Sequence, residues 1–157
     1  MDARFEDAEE GPLHLLARDA EDLKVISALV QDAVLPATDM TWQKAQRRFV
    51  LLVNRFRWED RAAAEAAGRP YERVRSLLVI GDVQAVRAQG LDRRDADTVL
   101  SLLSLDWQAG EDGTGRVLLT LAGDGAVAVD VEALEVSLQD VTRPYVAPSR
   151  KVPDHGA

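Results

Sequence analysis

Four arginines and one tryptophan in the middle of the chain have the side-chain chemistry best suited to binding an anion: Arg55, Arg57, Arg73, Arg75 and Trp58. Alternation along a β-strand would place Arg55 and Arg57 on one face and Trp58 on the other. If Arg73 and Arg75 lie on the neighbouring strand, the four guanidinium groups converge beside an aromatic rim. Such a surface would bind a small anionic ligand or an acidic protein. The alternative is that the chain's own acids, or a second subunit in a homodimer, neutralise these arginines.

The charge of the chain is unevenly distributed around that candidate site. The formal net charge is −8, yet residues 44–94 contain twelve Lys or Arg and six acids, a net charge of +6 that leaves −14 for the rest. The overall sign argues against general nucleic-acid binding, because a phosphate backbone attracts basic proteins. The basic middle segment predicts attraction of a smaller or more local anionic partner.

Residue patterns that would indicate catalysis or a cofactor are weak. His14 and His155 are far apart and the chain has no Cys, so the spacing of a zinc site and a thiolate nucleophile are both missing. We therefore expect no metal and no cofactor, and we favour a protein that is not an enzyme. The alternative is an enzyme that uses Asp and Arg side chains in a pocket on the sheet. Four carboxylates could offer oxygen ligands but lack the glycine and distal glutamate of a calcium loop: Asp92, Asp95, Asp97 and Asp106.

The length and composition indicate one globular domain. A chain of 157 residues with 46% apolar and 29% charged residues is typical of a single folded unit. We expect that domain at residues 12–142, with loosely ordered termini at 1–11 and 143–157, where Pro, Gly and charged residues replace apolar periodicity. No apolar run approaches the roughly 18 residues that span a bilayer, and the acidic start is unlike a signal peptide. The expected location is the cytoplasm.

Two segments have the apolar spacing of an amphipathic helix. Asp19 can cap a helix over residues 20–34, whose apolar residues recur at intervals of three and four until Pro36. A second helix is predicted near the C-terminus, at residues 130–141, from the same spacing. Its apolar positions are Val131, Leu134, Leu138 and Val141.

Between these helices the pattern changes to short β-branched and aliphatic runs, which predict strands. Residues 98–107 fit a strand or a helix, and we choose a strand. The sequence thus predicts an α+β fold: a mostly antiparallel, strongly bent sheet or open barrel of six to eight strands, with one helix near the N-terminus and one C-terminal amphipathic helix. A pleckstrin-homology-like barrel is the minority topology, and such barrels bind peptides, lipid headgroups or partner proteins.

Five stretches of the sequence, taken together, resemble a small alphaproteobacterial family of unknown function, domain-of-unknown-function family twenty-nine forty-eight. The resemblance covers nearly the whole predicted domain. It implies a bacterial, cytoplasmic protein of a family with no established activity, and so it assigns no role to any residue. The stretches that carry it are residues 19–23, 29–34, 48–59, 100–103 and 130–134.

The hypothesis that fits these observations is a noncatalytic binding or protein-interaction module, with an Arg-lined surface for an anion. The enzyme with an Asp and Arg pocket remains the alternative. A pocket holding a perturbed carboxylate would favour the enzyme, whereas an Arg-lined or apolar surface would favour the binding module.

Overall fold

Eleven β-strands make up most of the computed structural model, which describes residues 11–91 and 98–147. Runs in which buried aliphatic residues alternate with more exposed residues account for most of them. Two short helices, α1 (Ala20–Leu29) and α2 (Arg61–Ala67), interrupt the strands. The strands are β1 His14–Ala17, β2 Val34–Pro36, β3 Met40–Gln43, β4 Arg48–Phe56, β5 Glu72–Ile80, β6 Val83–Gln89, β7 Val99–Ala109, β8 Gly115–Leu121, β9 Ala126–Val131, β10 Val136–Asp140 and β11 Tyr145–Val146.

These strands form one antiparallel sheet that bends without closing. Its order is β1-β10-β5-β4-β2-β7-β8-β9-β6, with β3 added to β4 and β11 added to β5. The long strand β7 joins the strands from β1 to β2 in this order with those from β8 to β6. Its residues 99–101 pair with β2, and its residues 102–109 pair with β8. Among the described residues, β3 pairs only with β4, and β6 pairs only with β9.

The inner face of the sheet forms the hydrophobic core. In β4, Phe49, Leu51 and Val53 are buried, while Val50, Leu52 and Asn54 between and after them are half-buried. Each such side chain, fully buried, contributes about 1.5–3 kcal/mol. Helix α1 packs against β1 and β7 and joins the same core. It does so through Leu23, Ile26 and Leu29.

The predicted N-terminal helix is confirmed at its start and is shorter than expected. The Asp19 carboxylate accepts a hydrogen bond from the Asp22 backbone N–H at 2.8 Å, which caps the first turn. Helix α1 ends at Leu29, and Val34 already belongs to strand β2. The choice of a strand for residues 98–107 is confirmed by β7.

The predicted α+β fold of six to eight strands with a helix at each end is wrong. Residues 130–141 form the end of β9, a turn and then β10, so the predicted C-terminal helix does not exist. The helical spacing of its apolar residues has another origin. Val131 and Leu138 lie on two different strands, and Leu134 lies in the turn between them. Val141 is 49% exposed. Without that helix, the pleckstrin-homology-like topology is also wrong.

Two further predictions concern membrane-spanning segments and the limits of the domain. No helix in the described part of the chain is long and apolar enough to cross a membrane. The domain limits of 12–142 stay a prediction, since most of both terminal segments lies outside the described residues. Within the C-terminal segment, the short strand β11 pairs with the start of β5.

Candidate functional site

The structure divides the four predicted arginines between the two faces of the sheet. Strands β4 and β5 are neighbours, and Arg55 lies opposite the buried Val74. Side chains opposite each other in an antiparallel pair share a face, so Arg55 points inward while Arg73 and Arg75 lie on the outer face. Arg57 follows the end of β4. The four guanidinium groups therefore do not converge.

Arg55 lies at the centre of a buried polar group that we call the Arg55 cluster: Arg55, Glu59, Ser76 and Asp140. The guanidinium nitrogens Nη1 and Nη2 donate to the two Glu59 carboxylate oxygens at 2.8 Å each. Nη2 also donates to Asp140 at 3.0 Å, and Nε donates to the Ser76 hydroxyl at 3.0 Å. Every nitrogen of this guanidinium thus already donates to a group of the chain.

The electrostatics of the Arg55 cluster follow from its burial. The side chains of Arg55, Glu59 and Asp140 are only 0%, 1% and 6% exposed. Burial disfavours the charged guanidinium, but the hydrogen bonds and charges of Glu59 and Asp140 outweigh it and raise the pKa of Arg55. Asp140 also accepts hydrogen bonds from the Ser76 hydroxyl at 2.7 Å and the Leu13 backbone at 3.0 Å. The cluster connects β4, β5 and β10 with the segment before β1.

Arg57 lies at the rim of that cluster among acids of its own. Its Nη1 donates to Glu72 at 2.6 Å and lies 3.5 Å from Asp60. Asp60 in turn accepts two hydrogen bonds from Arg69, at 2.6 and 2.7 Å. The hydrogen bonds from Arg69 lower the pKa of Asp60.

Trp58 has a packing contact and a hydrogen-bond partner. Its ring meets Phe56 edge-on, with 4.7 Å between ring centroids. Its indole Nε1 donates to the backbone carbonyl oxygen of Gln31 at 3.0 Å. The side chain therefore ties the turn after β4 to the segment after α1.

Of the four predicted arginines, Arg73 and Arg75 donate no hydrogen bond to a carboxylate of the described residues, although the charge of Asp32 acts on Arg73. Arg73 donates to the side-chain and backbone oxygens of Asn54 at 2.7 and 3.0 Å, and its partial burial lowers its pKa. Arg75 is exposed, and in the described part of the chain its side chain makes no hydrogen bond. The ligand-binding role predicted for the five residues stays a prediction.

A pocket that none of the five predicted residues lines lies between the edges of β3 and β6, and we call it the seam pocket. It has a volume of about 600 Å³. Met40 and Trp42 of β3 line one side, and Val86 and Ala88 of β6 line the other. Phe49 of β4, only 3% exposed, lies between them on the core side. Apolar side chains form most of the wall.

The path of the chain explains why this pocket exists. The backbone N–H of Val83 donates to the carbonyl of Arg47 at 2.8 Å, which joins the start of β6 to the turn between β3 and β4. An ion pair between Arg47 and Glu132, 2.9 Å long, reinforces that end. Beyond it no ladder pairs β3 with β6 in the described residues, so the two edges separate and leave a gap. The gap is the seam pocket.

One polar group in the wall of the seam pocket is unsatisfied. The indole Nε1 of Trp42 is buried and has no hydrogen-bond partner among the described residues. No Asp, Glu, His, Lys or Arg is among the described residues that line the pocket. The described wall can therefore pack against an apolar molecule.

Sequence reasoning missed the seam pocket because its wall resembles an ordinary core. Trp42 is one of three tryptophans in the chain, and nothing in its local sequence distinguishes it as a pocket residue. A usable sign was the alternation of Val86 and Ala88 with Arg87 and Gln89 along β6. That alternation indicates that one face of the strand is packed against apolar groups, but it does not identify those groups.

Metal ligation and acid–base chemistry find little support in the described residues. No group of three or more His, Asp or Glu side chains in residues 11–91 and 98–147 could hold a metal ion. Asp106 accepts a hydrogen bond from Ser104, whereas Asp92, Asp95 and Asp97 lie outside the described residues. His14 lies exposed on β1, and His155 is also outside the described residues.

A second, smaller pocket of about 290 Å³ lies beside the turn between β5 and β6 and has charged walls. Arg47, Asp82 and Glu135 are among its lining residues. Two of these charges already have partners, because Arg47 pairs with Glu132 at 2.9 Å and Glu135 pairs with Arg18 at 3.2 Å. This pocket therefore offers less unpaired charge than its composition suggests.

The fold and the seam pocket define a bent antiparallel-sheet protein with one apolar cavity at its open seam. The chain belongs to the family described as Protein of unknown function (DUF2948), whose model matches residues 13–155. No curated protein matches the chain, and no solved structure matches it. The family membership implied by the resemblance is confirmed, and its alphaproteobacterial origin stays a prediction.

Proposed function

We propose that this protein is a noncatalytic binding module and that the seam pocket is its ligand site. The observation that carries the proposal is an apolar cavity of about 600 Å³ between two sheet edges that do not pair. Ligand pockets for small molecules have volumes of roughly 300–1,000 Å³ and mostly apolar walls. The resemblance adds the proposal that the protein acts in a bacterial cytoplasm.

The wall chemistry supports binding more than turnover. Catalysis by general acids and bases needs an ionisable side chain within hydrogen-bond reach of the substrate. The described residues around the seam pocket supply aliphatic and aromatic groups, the hydroxyls of Thr38 and Thr98, and the indole of Trp42. These groups fit a ligand by shape and burial and would change its protonation little. The alternative, an Asp and Arg enzyme, has no counterpart among the described residues that line this pocket.

A second candidate function is binding of a small anion or an acidic protein at Arg73 and Arg75. Both side chains lie on the outer face of β5, and neither donates a hydrogen bond to a carboxylate of the described residues. Arg55, Arg57 and Trp58 would support such a site indirectly, since their polar groups hold the end of β4 and the turn after it. A homodimer that covers this face is the competing use of the same surface.

The proposal is tested with N-phenyl-1-naphthylamine, a neutral probe that fluoresces in apolar surroundings. Ala88→Phe fills the seam pocket from β6, because Ala88 lines it. The matched control is Ala85→Phe, on the same strand but outside the pocket lining. Wild type and Ala85→Phe should bind the probe saturably, and Ala88→Phe should bind at least about fivefold more weakly, because overpacking costs roughly 1–3 kcal/mol.

Two results would count against the seam pocket. Equal probe binding by Ala88→Phe and Ala85→Phe would place the probe elsewhere. Absence of binding to the wild type, together with stabilisation by inorganic phosphate that Arg75→Ala abolishes, would favour the second candidate.

A further inference from the structure

We infer that the smaller pocket beside the turn between β5 and β6 binds a small zwitterion, which carries one ammonium and one carboxylate on a short aliphatic body, as an α-amino acid does. We call this site the turn pocket, since residues of the turns before β4, β6 and β10 form its walls. No described residue lines both the turn pocket and the seam pocket. The two sites are therefore independent, and the turn pocket goes beyond the proposed function.

The floor of the turn pocket is the outer face of the sheet. Val79 of β5 is half-buried between the buried Leu78 and Ile80, so it lies on the face away from the core. Ser137 of β10 lies opposite Val79, and Leu16 of β1 lies opposite Ser137. Directly opposed side chains share a face, so these three residues form one row across three strands. The row offers aliphatic contact and one hydroxyl.

The volume of the turn pocket limits the size of its ligand. It is about 290 Å³, close to the lower limit of roughly 300 Å³ for small-molecule sites. A small amino acid fits this volume, whereas a nucleotide or a long lipid chain does not.

The walls carry two positive and two negative side chains, those of Arg47, Arg48, Asp82 and Glu135. Two of these charges already have partners outside the pocket lining. Arg47 pairs with Glu132 at 2.9 Å. Glu135 pairs with Arg18 at 3.2 Å. One cation, Arg48, and one anion, Asp82, are left for a ligand.

Arg48 is held in place and still has donors to offer. It lies opposite Gln43 in the β3–β4 ladder, and its Nε donates to the Gln43 side-chain oxygen. Its Nη1 and Nη2 make no hydrogen bond and no ion pair within the described part of the chain. The planar fork of a guanidinium matches the two oxygens of a carboxylate. Arg48 is therefore the residue that would bind the carboxylate of the ligand.

Asp82 supplies the negative charge from a neighbouring turn. The N–H of Val83 donates to the carbonyl of Arg47 at 2.8 Å, which joins the turn before β6 to the turn before β4. Glu132, and to a smaller extent the charge of Asp82, raise the pKa of Arg47. Within residues 11–91 and 98–147, however, no hydrogen bond or ion pair engages the Asp82 carboxylate, and none joins it to Arg48. Asp82 can therefore bind an ammonium.

A zwitterion matches both of these charges at once. A simple anion at Arg48 would lie near the carboxylates of Asp82 and Glu135, and a simple cation at Asp82 would lie near the two arginines. A molecule with both charges pairs with Arg48 and Asp82 together and adds no net charge to the site. Its aliphatic body would then contact Leu16 and Val79.

Three molecules built on similar branched skeletons separate the two charges. L-Valine carries both charges at about pH 7. 3-Methylbutanoate lacks the ammonium, and 2-methylpropylamine lacks the carboxylate. Dissociation constants are measured from the backbone amide signal of Gly81 in the isotope-labelled protein, since Gly81 lines the pocket.

The variants Asp82→Asn and Arg48→Gln each remove one of the two charges. Asp82 has a φ of 53°, in the left-handed region, which Asn adopts as readily as Asp. The matched control Asp112→Asn makes the same change at a φ of 54° outside the pocket lining. The control Arg75→Gln removes an exposed arginine from the same face of the sheet, also outside the lining.

We expect L-valine to bind the wild type about tenfold more tightly than either analogue, the factor given by one hydrogen bond to a charged group. Asp82→Asn should reduce the preference over 3-methylbutanoate to about one. Arg48→Gln should do the same for the preference over 2-methylpropylamine. Both preferences should persist in Asp112→Asn and Arg75→Gln.

Three results would contradict this assignment. Equal affinity of the wild type for L-valine and for either analogue would overturn the zwitterion as the ligand class. Preferences that survive in Asp82→Asn and Arg48→Gln would overturn the roles of these two side chains. Absence of a saturable Gly81 shift with all three molecules would overturn the turn pocket as a ligand site and leave the seam pocket unaffected.

Discussion

The Arg55 cluster and the seam pocket differ in whether their buried polar groups have hydrogen-bond partners among the described residues. In the cluster, a guanidinium with no exposed surface donates to two carboxylates and a hydroxyl, and no nitrogen is left for an outside partner. In the pocket, one indole donor beside about 600 Å³ of space has no acceptor among the described residues. The comparison shows that the most conspicuous charges stabilise the fold, whereas the less conspicuous apolar seam has room for a ligand.

Removing the charge of Arg55 should have the largest effect. Arg55→Met leaves Glu59 and Asp140 buried without their counter-charge, which costs about 3–5 kcal/mol for a broken buried ion pair. Chemical denaturation measures that loss. The control Arg18→Met removes a pair with Glu135 whose side chains are 70% and 43% exposed, and it should cost less than about 1 kcal/mol. If Arg55→Met lost no more stability than the control, the cluster would not be structural and its arginine would again be a ligand candidate.

The rim of the cluster should show a smaller effect that depends on pH. Hydrogen bonds from Arg69 lower the pKa of Asp60 from its ordinary value of 3.8, so this stabilisation is present above that value and is lost as the pH falls through the lowered pKa. Arg69→Met should therefore be slightly less stable than the wild type at about pH 7, since the Arg69 side chain is 42% exposed and solvent screens the pair. The difference should be smaller at about pH 2. A difference of equal size at both pH values would show that the Asp60 charge is not its cause.

Two tryptophans should differ by a similarly small effect. Trp42→Phe and Trp58→Phe remove the same ring atoms, but only Trp58 loses a hydrogen bond, the one to Gln31. Trp58→Phe should therefore destabilise the protein by about 1 kcal/mol more than Trp42→Phe does. Thermal unfolding of the two variants under the same conditions gives this difference. A larger loss in Trp42→Phe would mean that its indole N–H has an acceptor within the chain.

The sequence predicted individual strands and helices better than it predicted how the strands pair. Alternation identified β4 and β5 and suggested their adjacency, but it could not give the register that puts Arg55 opposite Val74 and so on the other face from Arg73. Nor could it predict that Asp140 would reach Arg55 across the fold, because that contact depends on the pairing of β10 with β5. For this reason the four predicted arginines do not lie together on one surface.

The missing C-terminal helix and the unforeseen pocket have related causes. The spacing of Leu134 and Leu138 fits one turn of helix, yet it also fits a turn followed by a strand, and cross-strand partners decide between the two. The seam pocket depends on where β3 and β6 fail to pair, which no local pattern encodes. Non-local pairing is thus the common element that sequence periodicity leaves open.

The central claim is that the ligand enters the seam pocket and not the arginine surface. The direct test is a titration of the isotope-labelled protein with 2-acetylnaphthalene, followed by two-dimensional amide correlation spectra. We predict that the largest shift among the indole signals is that of Trp42, and that the largest backbone shifts are those of Trp42, Val86 and Ala88. Largest shifts at Arg73 and Arg75, with the Trp42 indole signal unchanged, would contradict the account.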